Sequence, residues 1–550
     1  MDAYRHQIEL VLTKVTLQAP SGFQAPLRLP DSTHAVRSKL AILVYSSMVL
    51  NRSGARTVPP STMLSILVWY TFAFSALFYA ILHSRLFKLF SVPSHLRHLP
   101  HVPALPLLWS YIRREPEDVR MKRFLLPLVN ESSESSEGIA LMWAFGGWVV
   151  HILDPQLYAQ VKGLTTKHFS TKDLPIFRFT GLSNIVTTNG EEWKKHSRVI
   201  IEAFTSPIPV DLFVSLAKAL YEVIDQAPTI NTEDHHVNWS DLAQRFSLDA
   251  VSYSILGFDF DAIRTESQFV KEFNAYMDEA AVVLYIIFPS IEKILPRKFS
   301  SSLLNSLNDR MQDMIQVKKS DPGEDIMSYL LKSPDMSEKD LRDNMSMLIF
   351  AGHETTAGAL STLVYHLADN QDIQKAAREE VLRVLGPSAD PSLPLMGPKS
   401  LPYVNACVKE SLRINPPASY TIPRISPESI SLGKYHIPPN TPITPNLYAM
   451  HHNETVWSDP HVFRPERFLE DESSELKNAW IPFSSGPRQC PAKNFVMYEV
   501  RTLAAMLLRE YEWKFPEDSV HRGGVKNGFS TFALTIPYKL DIIFSKRGQE

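Results

Sequence analysis

Residues Ile481–Glu499 read IPFSSGPRQCPAKNFVMYE, and they carry one of only two cysteines in a chain of 550 residues. The sulfur of Cys490 follows a Gly486-Pro487-Arg488 turn and precedes an amphipathic run, AKNFVMYEVRTLAAMLLREY. Pro491 suits the first position of a helix, where its missing N–H would be unpaired in any case. The spacing therefore predicts Cys490 at a helix N-terminus, where the macrodipole stabilises an anion and lowers a thiol pKa. Arg488 adds positive charge two residues upstream. Such a loop can present one soft anionic ligand to a metal. Structural zinc would need further Cys or His at short spacing, and none is present here.

A lone thiolate instead suits haem, whose porphyrin supplies four other donors. FSSGPRQCPA resembles the haem-binding loop of the cytochrome P-450 superfamily, F-x-x-G-x-R-x-C-x-G. Phe483, Gly486, Arg488 and Cys490 match, while Ala492 stands in place of the final glycine. The loop alone leaves open a buried structural cysteine, the usual state of a free thiol.

Three more segments carry the resemblance. KESLR places Glu410 and Arg413 on one helix face. With Arg467 of FRPERF they match the family's Glu-Arg-Arg network, which in that family stabilises the fold and is not catalytic. AGHETT (Ala351 to Thr356) is similar to the oxygen-activation motif A-G-x-D/E-T-T. Ala351 and Gly352 have almost no side chain, so a flat macrocycle can approach the backbone. A Thr355 hydroxyl can bond a helix carbonyl, and Glu354 can deliver protons; these two are the catalytic candidates. His353 falls at the motif's variable position and is read as non-ligating.

GEEWKKHSRVI (Gly190 to Ile200) resembles the W-x-x-x-R helix that holds a haem propionate. Trp193 matches, but Ser197 occupies the arginine position, and Arg198 lies about 100° further round the helix. Arg198 is thus a propionate candidate out of phase, with His196 and Lys194 as substitutes. Arg424, in IPRIS, sits where the family often has another propionate-binding arginine.

Around these motifs the pattern is helical. Ser337 and Asp340 make a capping-box signature ahead of a run of about thirty residues ending near Asn370. Helical patterns follow at Ile373 to Gly386 and at Asn405 to Ile414, the latter stopped by Pro416 and Pro417. Short strand-like pieces between Ser429 and Asn446 complete a mainly α fold with a small β region. Hydrophobic content of 44% fits a large core, and a net charge near −3 gives no support for nucleic-acid binding.

Upstream, Thr62 to Leu82 reads TMLSILVWYTFAFSALFYAIL, uncharged and long enough to cross a bilayer as one helix. The expected order is an extension of unknown role (1–61), a transmembrane anchor (62–82), a basic and proline-rich hinge (83–110) and the enzyme domain (111–550). Arg52 and Arg56 before the run and Arg85, Lys88 and Arg97 after it only weakly favour a cytosolic C-terminal part.

The resemblance implies a monooxygenase with haem b ligated by Cys490. One oxygen atom of O2 would enter a lipophilic substrate, and NADPH electrons would arrive through a separate reductase. It implies a microsomal protein of the endoplasmic reticulum membrane, fungal in style, acting in secondary metabolism on a terpenoid, polyketide or fatty-acid-like molecule. A haem-thiolate isomerase or dehydratase, or a tethered haem sensor or electron carrier, is the alternative; Glu354-Thr355 argues against the former. Substrate contacts are expected at Phe350 and Ala351, Ser419 to Thr421 and Phe177 to Leu182, and a membrane-dipping loop at Leu284 to Pro296.

Overall fold

Ser337 begins the longest helix. In the computed structural model its Oγ accepts from the Asp340 N–H (3.2 Å), and the Asp340 carboxylate accepts from the Ser337 N–H (3.0 Å). This reciprocal cap starts a single helix over Glu338–Asp369. Its second half, GALSTLVYHLA, is apolar around nearly its whole circumference, as a helix must be when neighbours cover every face. Accordingly, residues from Thr356 to Ala368 are buried. The helices Trp239–Val251, Pro402–Ile414 and Lys493–Glu510 pack around it and share one hydrophobic core with Val210–Asp225 and Gln371–Leu385.

The structure describes residues 90–547, apart from 131–137, 145, 164–166, 169–175, 231–233, 266–267, 289–290, 293, 296–300, 470–473 and 531, together with positions 65, 68–73 and 75–76. Phe87–Glu550 forms one compact unit. Its sheets are small. A five-stranded sheet orders Ile139–Ala144, Gly147–Ile152, Pro442–Pro445, Arg424–Ile425 and Lys167–His168. The first pair is antiparallel with Ile139 opposite Ile152, and Arg424 lies opposite Ile443. Asp234–Asn238, Asp541–Lys546 and Tyr511–Lys514 make a second sheet, and Ile430–Leu432 with Tyr435–Ile437 a hairpin.

The fold is thus mainly helical with a minor β region, as expected. The hinge assigned to 83–110 is part of the core from Val92 onward: Leu96, Leu99, Val102 and Leu107 are buried, and the Val102 N–H donates to the Leu141 carbonyl at 2.8 Å. Among the described residues no helix is long and apolar enough to cross a membrane. The 62–82 run is described only at 65, 68–73 and 75–76, which are helical and exposed; the remainder, like the extension 1–61, lies outside the described residues.

The Glu-Arg-Arg network forms as its spacing requires. Arg413 donates twice to Glu410 (2.7 and 2.9 Å), and Arg467 Nε donates to the same carboxylate at 3.0 Å. Arg413 also donates to the carbonyls of His451 and Pro460, both at 2.8 Å. Glu410 and Arg413 are fully buried, Arg467 is partly so, and every charge has a partner, the condition under which buried ions are tolerated.

Candidate active site

The cysteine loop is held from three sides. Gly486 has φ +79°, and a Cβ there would lie 2.3 Å from the Lys162 carbonyl oxygen, so only glycine fits. The Cys490 N–H donates to the Phe483 carbonyl (3.0 Å) and that of Gln489 to the Gly486 carbonyl (3.0 Å), closing the turn. Tyr158 reaches across to Ser484 Oγ at 3.1 Å and donates to the Ser485 carbonyl at 3.3 Å. Phe483 packs edge-on against Trp480 at 6.2 Å, and Trp480 donates to the Lys409 carbonyl at 3.0 Å, tying the loop to the Glu410 helix.

The helix after the loop starts later than its sequence suggests. It spans Lys493–Glu510 with Ala492 as N-cap, so Pro491 belongs to the turn and not to the first helical position. The thiol correspondingly departs from expectation. Burial pushes it up, and the Ala492 N–H and the Lys493 charge offset this only in part. Desolvation of an anion outweighs one amide and a distant dipole in an apolar wall.

Cys490 opens onto a cavity of about 400 Å3. Phe483, Arg488, Arg424, Trp193, Ala351, Gly352 and Thr355 all line it, gathered from segments as far as 300 residues apart in the chain. Gly352 is tight as well as small: a Cβ would meet Val251 Cγ2 at 3.0 Å. Thr355 Oγ1 donates to the Ala351 carbonyl at 2.8 Å. The walls are otherwise mostly apolar, including Val251, Ile255, Met347 and Leu348.

Two guanidiniums stand at this cavity without a carboxylate. Arg488 donates to the carbonyls of Ile185 (3.1 Å) and Thr188 (2.9 Å) and lies over the Trp193 ring. Burial and the nearby Arg424 pull its pKa down to about 9. Arg424 is lowered too, chiefly by burial, and its Nε is buried with no partner among the described residues. Neither makes an ion pair among those residues. Two unneutralised cations beside an apolar slot and one accessible thiol fit a flat iron cofactor bearing acidic groups. The donor set therefore suits haem: Cys490 is the residue that would ligate its iron, and Arg424 and Arg488 are the cations available to its acidic groups.

Other sequence candidates fall elsewhere. Arg198 is a correction: it points outward, pairs with Asp335 and does not reach the cavity. Its substitutes fare no better, since Lys194 pairs with Glu191 at 2.7 Å and His196 Nδ1 lies 2.8 Å from Asn344 Nδ2. Ser197, at the in-phase position, does line the cavity. Glu354 is partly buried, with its carboxyl pushed up to about 7 by desolvation, but it is not among the lining residues. His353 is buried edge-on against Phe273 at 5.5 Å and is not among the residues that line the cavity.

Of the substrate-contact candidates, Thr421 and Ala351 line the cavity, whereas Phe350 packs on Phe532 and Phe179 on Phe273. Ile185, Val186, Ile201, Phe204 and Glu499 are wall residues that sequence reasoning missed. Glu499 carried a signal, being an acid on the helix face shared with Phe495 and Val496.

Fold and cavity together define a class, a helix-rich redox enzyme built around one cofactor slot. The cytochrome P450 family model matches residues 100–540, so the chain belongs to that family of haem-using monooxygenase oxidoreductases. Among curated relatives, rat cytochrome P450 4F5 is 25% identical over 448 residues, covering 72% of this chain and 81% of its own. Mouse cytochrome P450 4A10 is 27% identical over 352 residues (60% and 69%), and a probable cytochrome P450 516B1 of Dictyostelium discoideum is 26% identical over 366 residues (60% and 73%). The crystal structure of the cytochrome P450DA heme domain superposes with a TM-score of 0.69 at 20% identity, covering 82% of this chain and 98% of that one.

Proposed function

We propose that this chain is a membrane-anchored haem-thiolate monooxygenase that inserts one oxygen atom of O2 into a lipophilic small organic substrate. Two electrons come from NADPH through a separate cytochrome reductase; two protons and the second oxygen leave as water. The observation that carries this reading is the cavity that places Cys490, two carboxylate-free arginines and the Ala351-Gly352 gap around one apolar slot.

Each residue has a role that follows from its chemistry. Cys490 Sγ is the iron ligand on a loop already closed by its own hydrogen bonds. Arg424 and Arg488 neutralise the cofactor's acids, with Trp193 holding the latter's plane. When bound, the haem supplies the oxygen-activating redox chemistry. Ala351 and Gly352 leave backbone within reach of a small ligand, and Thr355 holds water beside them. Glu354, with a carboxyl near neutrality, keeps a proton available at its oxygen. The apolar lining selects uncharged bulk such as a terpenoid, polyketide or fatty-acid-like chain.

Membrane attachment through 62–82 in the endoplasmic reticulum, with the catalytic unit on the cytosolic side, fits the exposed apolar helix at Val68, Trp69, Tyr70 and Phe72. Fungal secondary metabolism remains the source assigned by motif style.

The test is spectroscopic and catalytic. The reduced, carbon monoxide-bound protein should show the strongly red-shifted Soret band of thiolate ligation, and Cys490→Ala should lose it. With purified reductase and isotopically labelled O2, lipophilic candidates should stimulate NADPH oxidation and acquire one labelled oxygen. A preparation that turns over substrate without O2 would replace this reading with the isomerase alternative.

A further inference from the structure

The cavity-facing stripe of the Glu338–Asp369 helix is continued toward its N-terminus by an amide. Met347, Leu348, Ala351, Gly352 and Thr355 line the cavity from this helix. Asn344 lies three residues before Met347, four before Leu348 and seven before Ala351, so it shares their helix face. It is fully buried and does not itself line the cavity.

A buried carboxamide needs partners for its oxygen and for both hydrogens, and Asn344 has all three. Its Oδ1 accepts from the Ile185 N–H at 2.9 Å. Its Nδ2 donates to the Asp340 carbonyl at 2.7 Å and to His196 Nδ1 at 2.8 Å. The group cannot be turned over: the NH2 would then meet the Ile185 N–H, and the oxygen would meet the Asp340 carbonyl. The same network assigns the His196 proton to Nε2, because Nδ1 must accept. A leucine would fill this position with no polar group to desolvate, so the bonds of the amide are what distinguish it.

The bond to Ile185 leads to the cofactor slot. The Ile185 carbonyl accepts from Arg488 at 3.1 Å, and Ile185 is also part of the cavity wall. Residue 185 is thus held through its N–H by the long helix, and through its carbonyl it holds the guanidinium on the cysteine loop. The helix touches this segment elsewhere, but two residues earlier: Asp343 accepts from the Ser183 N–H at 2.9 Å and Asp340 from the Ser183 hydroxyl at 2.5 Å. The N–H groups of Val186 and Thr187 turn to Asn184 inside the segment, at 3.0 and 3.1 Å. Removing the Asn344 amide would leave the segment attached at Ser183 and release the one residue that both faces the cavity and orients Arg488.

We propose that Asn344 is a positioning residue for the cofactor. Through Ile185 it fixes the Arg488 guanidinium, and so ties the Ala351-Gly352 wall of the slot to the cysteine wall. This rests on the haem-thiolate reading above. The amide touches neither cofactor nor substrate and moves no proton.

Haem release from the full-length ferric protein to excess apomyoglobin is the readout, because it reports the hold on the cofactor and not turnover. Asn344→Leu should speed release several-fold, and so should Arg488→Gln. The double variant should release haem no faster than Arg488→Gln alone, since residues that act through one contact are not additive. The propionate bending band in the resonance Raman spectrum should move in Asn344→Leu and move no further when that change is added to Arg488→Gln. A residue that only stabilised the fold would add its effect in both backgrounds. Asn344→Ser carries the same cycle if the leucine variant does not fold. Additive acceleration, or release at the unmodified rate in the single Asn344 variant, would overturn the proposal. Absence of the red-shifted carbon monoxide band from the unmodified protein would instead remove the haem-thiolate reading itself.

Discussion

The guanidinium carbon of Arg488 lies 4.3 Å from the centroid of the Trp193 ring. The contact joins the cysteine loop to the Gly190–Ala203 helix, and two backbone carbonyls fix the remaining donors. Arg488 is therefore oriented before any anion arrives. A lysine has neither the plane nor the fork to do the same. Arg488→Lys should fold but hold haem at least about tenfold more weakly, the order of one lost charge-assisted pair. Arg424→Gln should do likewise. Haem titration of the apoprotein, with circular dichroism as the control for folding, measures both.

Gly486→Ala is expected to fail more completely. The new Cβ would have to displace the Lys162 backbone, and the left-handed φ adds strain of about 1–2 kcal/mol. Soluble protein, if obtained, should lack haem and unfold at a lower temperature, whereas Gly352→Ala, which asks only a small shift of the Val251 side chain, should be the milder change.

Much of this was legible in the sequence, for a reason tied to range. The Ser337 cap, the stop after Ile414 and the turn at Gly486 each depend on residues within a few positions, and the spacing carries them. Glu410 and Arg413 pair because three residues make one helix face. What failed depended on burial or on small offsets. The helix after Cys490 begins two residues beyond Pro491, and the thiol is pushed up by an apolar wall that no local pattern contains. Arg198 was already out of phase by one residue, and the Gly190–Ala203 helix turns it toward Asp335 instead. Ile185 and Val186 reach the cavity only when distant segments fold together, so neither periodicity nor motif spacing could bring them there.

Removing Glu410 should cost about 3–5 kcal/mol, the usual result of stripping one partner from a buried charge pair. Arg413 would keep its two carbonyl acceptors but no anion, and Arg467 would lose its inward contact. Glu410→Ala should therefore be largely unfolded at physiological temperature, and Glu410→Gln less severely destabilised. Denaturant titration ranks the two.

Proline at 491 has no N–H to give the sulfur, which leaves the Ala492 amide as the backbone donor noted above. Pro491→Ile restores a possible donor, and hydrogen bonds to a thiolate ligand raise the potential of its iron. A more positive midpoint in a redox titration of the variant is the expected result; no change would show that the added amide does not reach the sulfur.

Stability should fall steeply in acid. His151, His353, His366 and His451 are buried, each with one ring nitrogen unpartnered among the described residues, and burial draws their pKa values down to about 3, 4, 3 and 3. The folded state thus binds fewer protons than the unfolded chain between about pH 6.5 and those values. Each neutral imidazole contributes stability above this window and loses it as pH falls, by about 1.4 kcal/mol per pH unit. Glu354, raised to about 7, acts in the opposite sense between the ordinary carboxyl value of 4.5 and 7, losing stability as pH rises. Below pH 4.5 the histidines should dominate. His366 stacks flat on Phe463 at 4.5 Å, so His366→Phe should preserve the packing and reduce the acid slope by about one proton, read from unfolding free energy against pH.

The hydroxyl of Thr355 has only one hydrogen, and the helix has already claimed it. Whatever molecule comes up to that oxygen finds lone pairs and must bring a hydrogen of its own. Water and alcohols can do so; a ketone or an ester presents the wrong end. A compound that docks through a bare carbonyl gains no grip at this spot, and the selectivity arises from a backbone contact that never touches the visitor.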